Sequence, residues 1–134
     1  MAFFIKVYLT ALCIFFVIDL FWLGVIAKNL YKEELGFLLA PSVRWGAALL
    51  FYGLYLFGLT FFAILPGVRE QSGLVAALNG ALFGCICYAT YDLTNLATLQ
   101  GWPMKIVIYD LLWGTFISSI TSFLTFWISY RWII

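Results

Sequence analysis

The sequence predicts an all-α integral membrane protein, a bundle of four transmembrane helices with room for a short interfacial helix in the first loop. Three observations carry that prediction. The chain is 66% hydrophobic and only 10% charged, whereas a soluble domain carries about a quarter charged residues. Four stretches reach the roughly 20 mostly apolar residues that a bilayer crossing requires. Turn-forming residues and most of the charges fall between those stretches. At 134 residues the expectation is one transmembrane domain over residues 1–134, without a separate soluble module.

The first stretch covers about residues 5–27. It is too long for a signal peptide, contains Asp19 and lacks a small-residue cleavage site, so it reads as a retained helix. The connection that follows, "KNLYKEELGFLLAPSVRW", is the longest and most charged. Its apolar positions allow a short helix lying in the interface, with Pro41 as its expected end. The second helix, about 46–65, stops at Pro66 and Gly67 of "LPGVREQSG". The third, about 74–99, stops at Gly101. The fourth, about 104–130, starts behind Pro103, where a missing amide is harmless. Tyr31, Trp45, Trp102, Tyr130 and Trp132 lie at expected helix ends, the usual place of interfacial aromatics.

Charge and composition narrow the function. A net charge of +1 offers no field for nucleic acid, and the absence of histidine removes the usual imidazole for acid–base or metal work. Cys13, Cys85 and Cys87 sit in apolar runs with no metal-ligand spacing, so they read as inert packed thiols. No cofactor or metal motif is present. In a four-span topology Lys6, Arg69 and Arg131 share one side with the amino terminus, and Lys28, Lys32, Arg44 and Lys105 share the other. Loop charge is therefore nearly balanced, and the positive-inside signal is weak.

The aspartates give the functional signal. The chain has three, Asp19, Asp92 and Asp110, all inside expected spans. Asp19 lies nine residues before Lys28, Asp92 seven before Leu99, and Asp110 seven after Pro103. At about 1.5 Å per residue each is roughly 10–13 Å below the same membrane face. A charge at the bilayer centre costs about 2.5–3.5 kcal/mol on insertion scales, so three carboxyls at one depth point to a shared polar pocket rather than to helix glue alone. Gly84, Tyr88, Tyr91, Asp92 and Asn95 share one face of the third helix. Asp110, Gly114, Ser118, Thr121 and Thr125 share one face of the fourth. Small residues and hydroxyls let membrane helices approach closely. Each aspartate also has a hydrogen-bonding residue three positions on: Trp22, Asn95 and Trp113. The expected binding or proton-titrating set is Asp19, Asp92, Asp110, Tyr88, Asn95, Trp22 and Trp113.

The stretches "IDLFWLGVIAK", "LFYGLYLFGL", "ATYDLTNLATLQGWP" and "DLLWGT" resemble a family of small multi-pass membrane proteins, domain of unknown function 2177, over essentially the whole chain. The resemblance implies a bacterial inner-membrane location and assigns no catalytic residue. Three functions stay open. The first is binding or transport of a small amphiphilic or cationic molecule, in a protein embedded in the lipid bilayer; balanced loop charge would suit a homodimer inserted in both orientations. The second is a membrane-embedded enzyme acting on lipid, with two aspartates as acid and base. The third is a helper subunit of a membrane complex.

Overall fold

The computed structural model describes residues 1–133 and is all-helical, with no strand among them. Four helices are long and apolar enough to cross a membrane: α1 (Ala2–Ile26), α3 (Trp45–Arg69), α4 (Gly73–Thr98) and α5 (Met104–Ile133). A shorter helix, α2 (Lys28–Leu35), lies in the first loop. The outer surface is hydrocarbon: Leu50, Leu54, Leu78, Leu82 and Leu112 are all more than half exposed. Lipid-facing leucines of this kind are the normal exterior of a spanning bundle.

The α2 helix lies where an interfacial helix was expected, but ends at Leu35 rather than at Pro41. Leu38 and Leu39 donate their amides back to the Leu35 carbonyl at 2.8 and 3.2 Å, closing a turn there. Leu35 is buried against Trp102, Ile106 and Val107 at the start of α5, with Leu30 and Tyr31 packed alongside. Lys105 and Glu34 add a loose ion pair at 3.8 Å. Packing therefore ties the interfacial helix to α5.

The second spanning helix runs past Pro66 to Arg69. Proline cannot donate to the preceding turn, and the chain widens into a π-helical turn over Thr60–Ile64 immediately before it. The reversal comes at Glu70–Ser72, where Gln71 adopts φ 54° and the Ser72 amide bonds the Gly67 carbonyl at 2.9 Å. The Ser72 hydroxyl then accepts from the Val75 amide at 3.2 Å and caps α4. Gly67 faces the Ala76 backbone and methyl so closely that a side chain would collide.

The most extensive helix contact joins α4 to α5. Gly80 and Gly84 admit Ser118, Ser122 and the Gly114 carbonyl, while Gly114 admits the flat face of Tyr88. The mirrored small-residue stripes bring the two backbones together. Lower in the bundle, Val7, Ala11, Phe15, Leu56, Leu59, Ile64 and Ile117 form a fully buried apolar core shared by α1, α3 and α5. The α3 helix meets α4 mainly through its lower half, Thr60–Arg69, while its upper half leans on α1. The bundle is closed at the bottom and parted between α3 and α4 at the top. That gap sits on the side of the first and third loops, the side of the aspartates.

Two results are expected. Single cysteines at Glu70 and Arg131 should label from the same membrane face in a uniformly oriented population. A Gly84→Val variant should melt lower, because overpacking a fitted contact costs about 1–3 kcal/mol; a thermal-unfolding series in detergent measures it.

Candidate functional site

All four spanning helices and α2 contribute to one cavity of about 410 Å³. Its acidic groups are Asp19 on α1 and Asp110 on α5, and no lysine or arginine lines it. Its walls are aromatic: Trp22, Tyr31, Phe51, Tyr52, Tyr55, Tyr88, Tyr91 and Trp113. The apolar core begins directly below it, with Phe15 one turn beneath Asp19 and Leu56 next to Tyr55. Phe51 and Tyr91 are 48% and 57% exposed, and they flank the gap between α3 and α4 as its rim.

The two carboxylates of the cavity are each held by donors from other helices. Asp19 is 8% exposed. Tyr52 of α3 donates its hydroxyl to Asp19 Oδ2, and the Trp113 indole N–H of α5 donates to Oδ1 at 3.3 Å. Asp110 is 6% exposed and accepts the Tyr31 hydroxyl of α2 on Oδ1. The Trp22 indole N–H in turn donates to the Tyr31 oxygen at 3.3 Å. Burial and the adjoining Asp110 carboxylate push the Tyr31 phenol well above its ordinary pKa, so it stays a neutral donor. Trp22 and Trp113 stack with centroids 4.4 Å apart and planes 9° apart. That stack couples the two indole donors, so neither ring can turn without disturbing the other.

Asp92 occupies a different place. It is wholly buried yet absent from the cavity wall. Asp110 and the Trp102 indole lie beside it. Neither of its carboxyl oxygens completes a hydrogen bond, nor does the buried Trp102 N–H. A proton on either carboxyl would give Asp92 and Asp110 the donor between them that they lack. Asp92 is therefore a backing group behind Asp110.

The other expected residues divide in the same way. Trp22, Trp113 and Tyr88 line the cavity, Tyr88 with its ring laid over Gly114. Asn95 does not line it; it is half-buried and sits beside Tyr91. The three-residue spacing behind each aspartate does not describe the pairing: Trp22 reaches Tyr31, and Trp113 reaches Asp19 across the bundle. Among the participants not singled out from sequence for this role are Tyr31, Tyr52, Tyr55 and Trp102. Tyr31 and Trp102 sit at helix ends as interfacial aromatics do, but both turn inward, and Trp102 is 9% exposed. Tyr55 bonds Ser118 at 2.5 Å at the cavity floor. The three cysteines are free, and Cys87 reaches the cavity wall. No group of three or more Cys, Asp or Glu positioned to hold a metal occurs among the described residues.

Residues 4–127 match the family described as "Predicted membrane protein (DUF2177)". The chain belongs to that family. The family description says membrane protein and nothing finer, in agreement with four apolar spans. No curated protein and no solved structure matches the chain. Within the family assignment, the particulars of the site rest on the geometry above.

A Tyr31→Phe variant removes one donor to Asp110 and the acceptor of Trp22. It should lower stability by about 1–2 kcal/mol, because two bonds between helices are lost and such bonds in membranes average about 0.6 kcal/mol each. Tyr8→Phe, which loses only a bond to the Gly53 carbonyl on the α1–α3 contact, should cost less, at about 0.6 kcal/mol. Thermal unfolding of the two variants side by side checks the order.

Proposed function

We propose that this protein binds a small lipophilic cation in the aspartate cavity and transports it across a bacterial inner membrane. The observation that carries the reading is the pairing of two carboxylates with an aromatic wall and no basic side chain in one cavity. A cation gains from both, because the faces of Trp and Tyr rings attract positive charge and a carboxylate completes it. Desolvation strengthens both attractions. The cavity volume, about 410 Å³, lies within the roughly 300–1,000 Å³ of ordinary small-ligand sites.

One-for-one exchange of the cation for a proton would hold the net charge of the cavity constant at each stage, which matters where an uncompensated charge is expensive. Asp19 and Asp110 face the ligand. Trp22, Trp113, Tyr52 and Tyr31 orient the carboxylates, and Asp92 backs Asp110 as the second carboxyl of a proton-sharing pair. Nearly balanced loop charge would let two copies insert in opposite orientations as a homodimer.

A membrane-embedded enzyme acting on lipid is the second reading, favoured by the adjacency of Asp92 and Asp110. Two neighbouring carboxyls, one protonated and one not, are the ordinary equipment of general acid–base chemistry. In that case Asp92 would be indispensable to turnover although it does not line the cavity.

Asparagine variants separate function from structure. Asp19→Asn and Asp110→Asn keep size and one acceptor oxygen, with an amide N–H that can donate to a tyrosine oxygen, but lose the charge. Interhelical hydrogen bonds in membranes average about 0.6 kcal/mol, so both variants should melt close to the parent. Binding of tetraphenylphosphonium, followed by equilibrium dialysis, should nonetheless fall about tenfold or more, the equivalent of about 1.4 kcal/mol. Parental binding in both variants would remove the carboxylates from the account.

A further inference from the structure

A second cavity, about 550 Å³, lies beyond the Trp22–Trp113 stack, between α1, α2 and α5. The same two indoles line both cavities, so the stack is the wall between them. Its chemistry differs from that of the aspartate site. Its upper end holds Lys105 and Glu33, and its lower end Leu112 and Phe116. Phe116 and Leu112 are 56% and 66% exposed, which places that end on the hydrocarbon-facing side of the bundle.

Dimensions and charge together identify an occupant. Lys105 is the second residue of α5, beside the packed interfacial helix. Phe116 lies eleven positions further along, about 16 Å deeper at 1.5 Å per residue. That is about half of a hydrocarbon core of roughly 30 Å, so the groove runs from headgroup level to the bilayer midplane. It is one leaflet long. At its head, a cation and an anion face the same space on different elements, Lys105 on α5 and Glu33 on α2. Lys105 is bound only loosely: Glu34 is 3.8 Å away and the lysine side chain is 52% exposed. Charge-assisted N–H···O bonds settle at about 2.7–2.9 Å, so the ammonium has capacity for a further anionic oxygen. Glu33 is exposed.

We propose that this groove seats one phospholipid whose headgroup carries both a phosphate and a primary ammonium. Its phosphate meets Lys105, its ammonium donates to Glu33, and an acyl chain lies against Leu112 and Phe116. The two headgroup charges are satisfied by two protein charges of opposite sign. An anionic headgroup without an amine leaves Glu33 repelled. A quaternary amine brings charge but no N–H to donate. The site is separate from the cation reading and does not depend on it.

Native mass spectrometry of the purified full chain tests this, with phosphatidylethanolamine, phosphatidylcholine and phosphatidylglycerol of identical acyl chains added in turn. Phosphatidylethanolamine should be retained about tenfold better than either other lipid, the equivalent of one charge-assisted bond. Lys105→Gln and Glu33→Gln should each abolish that preference while tetraphenylphosphonium binding stays at the parental level. Both side chains are solvent-facing, so the variants should fold, and the comparison of lipids on the unaltered protein stands without them. Equal retention of phosphatidylethanolamine and either other lipid overturns the proposal, as does a preference that survives both substitutions.

Discussion

Asp19 and Asp110 are each more than nine-tenths buried, so the protein supplies their donors from its own side chains. An unpaired carboxyl at that depth costs several kcal/mol, and the upper half of the bundle is arranged around meeting that cost. Tyr52 and Trp113 converge on Asp19 from two different helices, and Tyr31 descends from the interfacial helix onto Asp110. Because every donor comes from an element other than the acceptor's own, the bonds also fix how the helices sit together. The Trp22–Trp113 stack locks α1 to α5 at the same level. The resulting frame holds two carboxylates apart around a cavity rather than collapsing on them.

The cavity survives because close packing is concentrated elsewhere. Gly80, Gly84 and Gly114 draw α4 and α5 into backbone contact, and the Phe15, Leu56 and Ile117 layer seals the bundle below. With those contacts made, the upper half of α3 leans on α1 and leaves α4 uncovered. The parted corner is walled by the large rings of Phe51, Tyr52, Tyr55, Tyr88 and Tyr91. An aromatic lining suits a positive ion, which the faces of the rings attract.

The spans were legible in the sequence, because hydropathy is enough to place them, and a rise of about 1.5 Å per residue already put Asp19 and Asp110, which line one cavity, at one level of the bundle. The small-residue faces of α4 and α5 were legible as well, since Gly84 and Ser118 fall on the faces that helical periodicity assigns them. Hydrogen-bond partners were not. Trp113 follows Asp110 by three positions, yet its long indole crosses to Asp19. Tyr52 sits in "LFYGLYLFGL", a run so uniformly apolar that no periodicity marks an inward face. Tyr31 and Trp102 occupy ends of helices, where aromatic residues ordinarily mark the interface; only the docking of α2 on α5 turns them inward. The passage of α3 beyond Pro66 was likewise hidden, because a π-helical turn that accommodates a proline has no simple sequence sign.

A native reporter sits in the cavity itself. Cys87 lines its wall, whereas Cys13 is exposed on the outside of the bundle. In a Cys13→Ala, Cys85→Ala background, the rate at which Cys87 reacts with cationic and anionic methanethiosulfonates reads the field at the site directly. With each rate divided by that reagent's rate toward a small free thiol in water, the account predicts that the cationic reagent is favoured about tenfold or more, a bias equivalent to about 1.4 kcal/mol, and that this residual bias disappears in the Asp19→Asn, Asp110→Asn double variant. Equal normalised rates for the two reagents, or a normalised cationic bias that persists without both carboxylates, would contradict it.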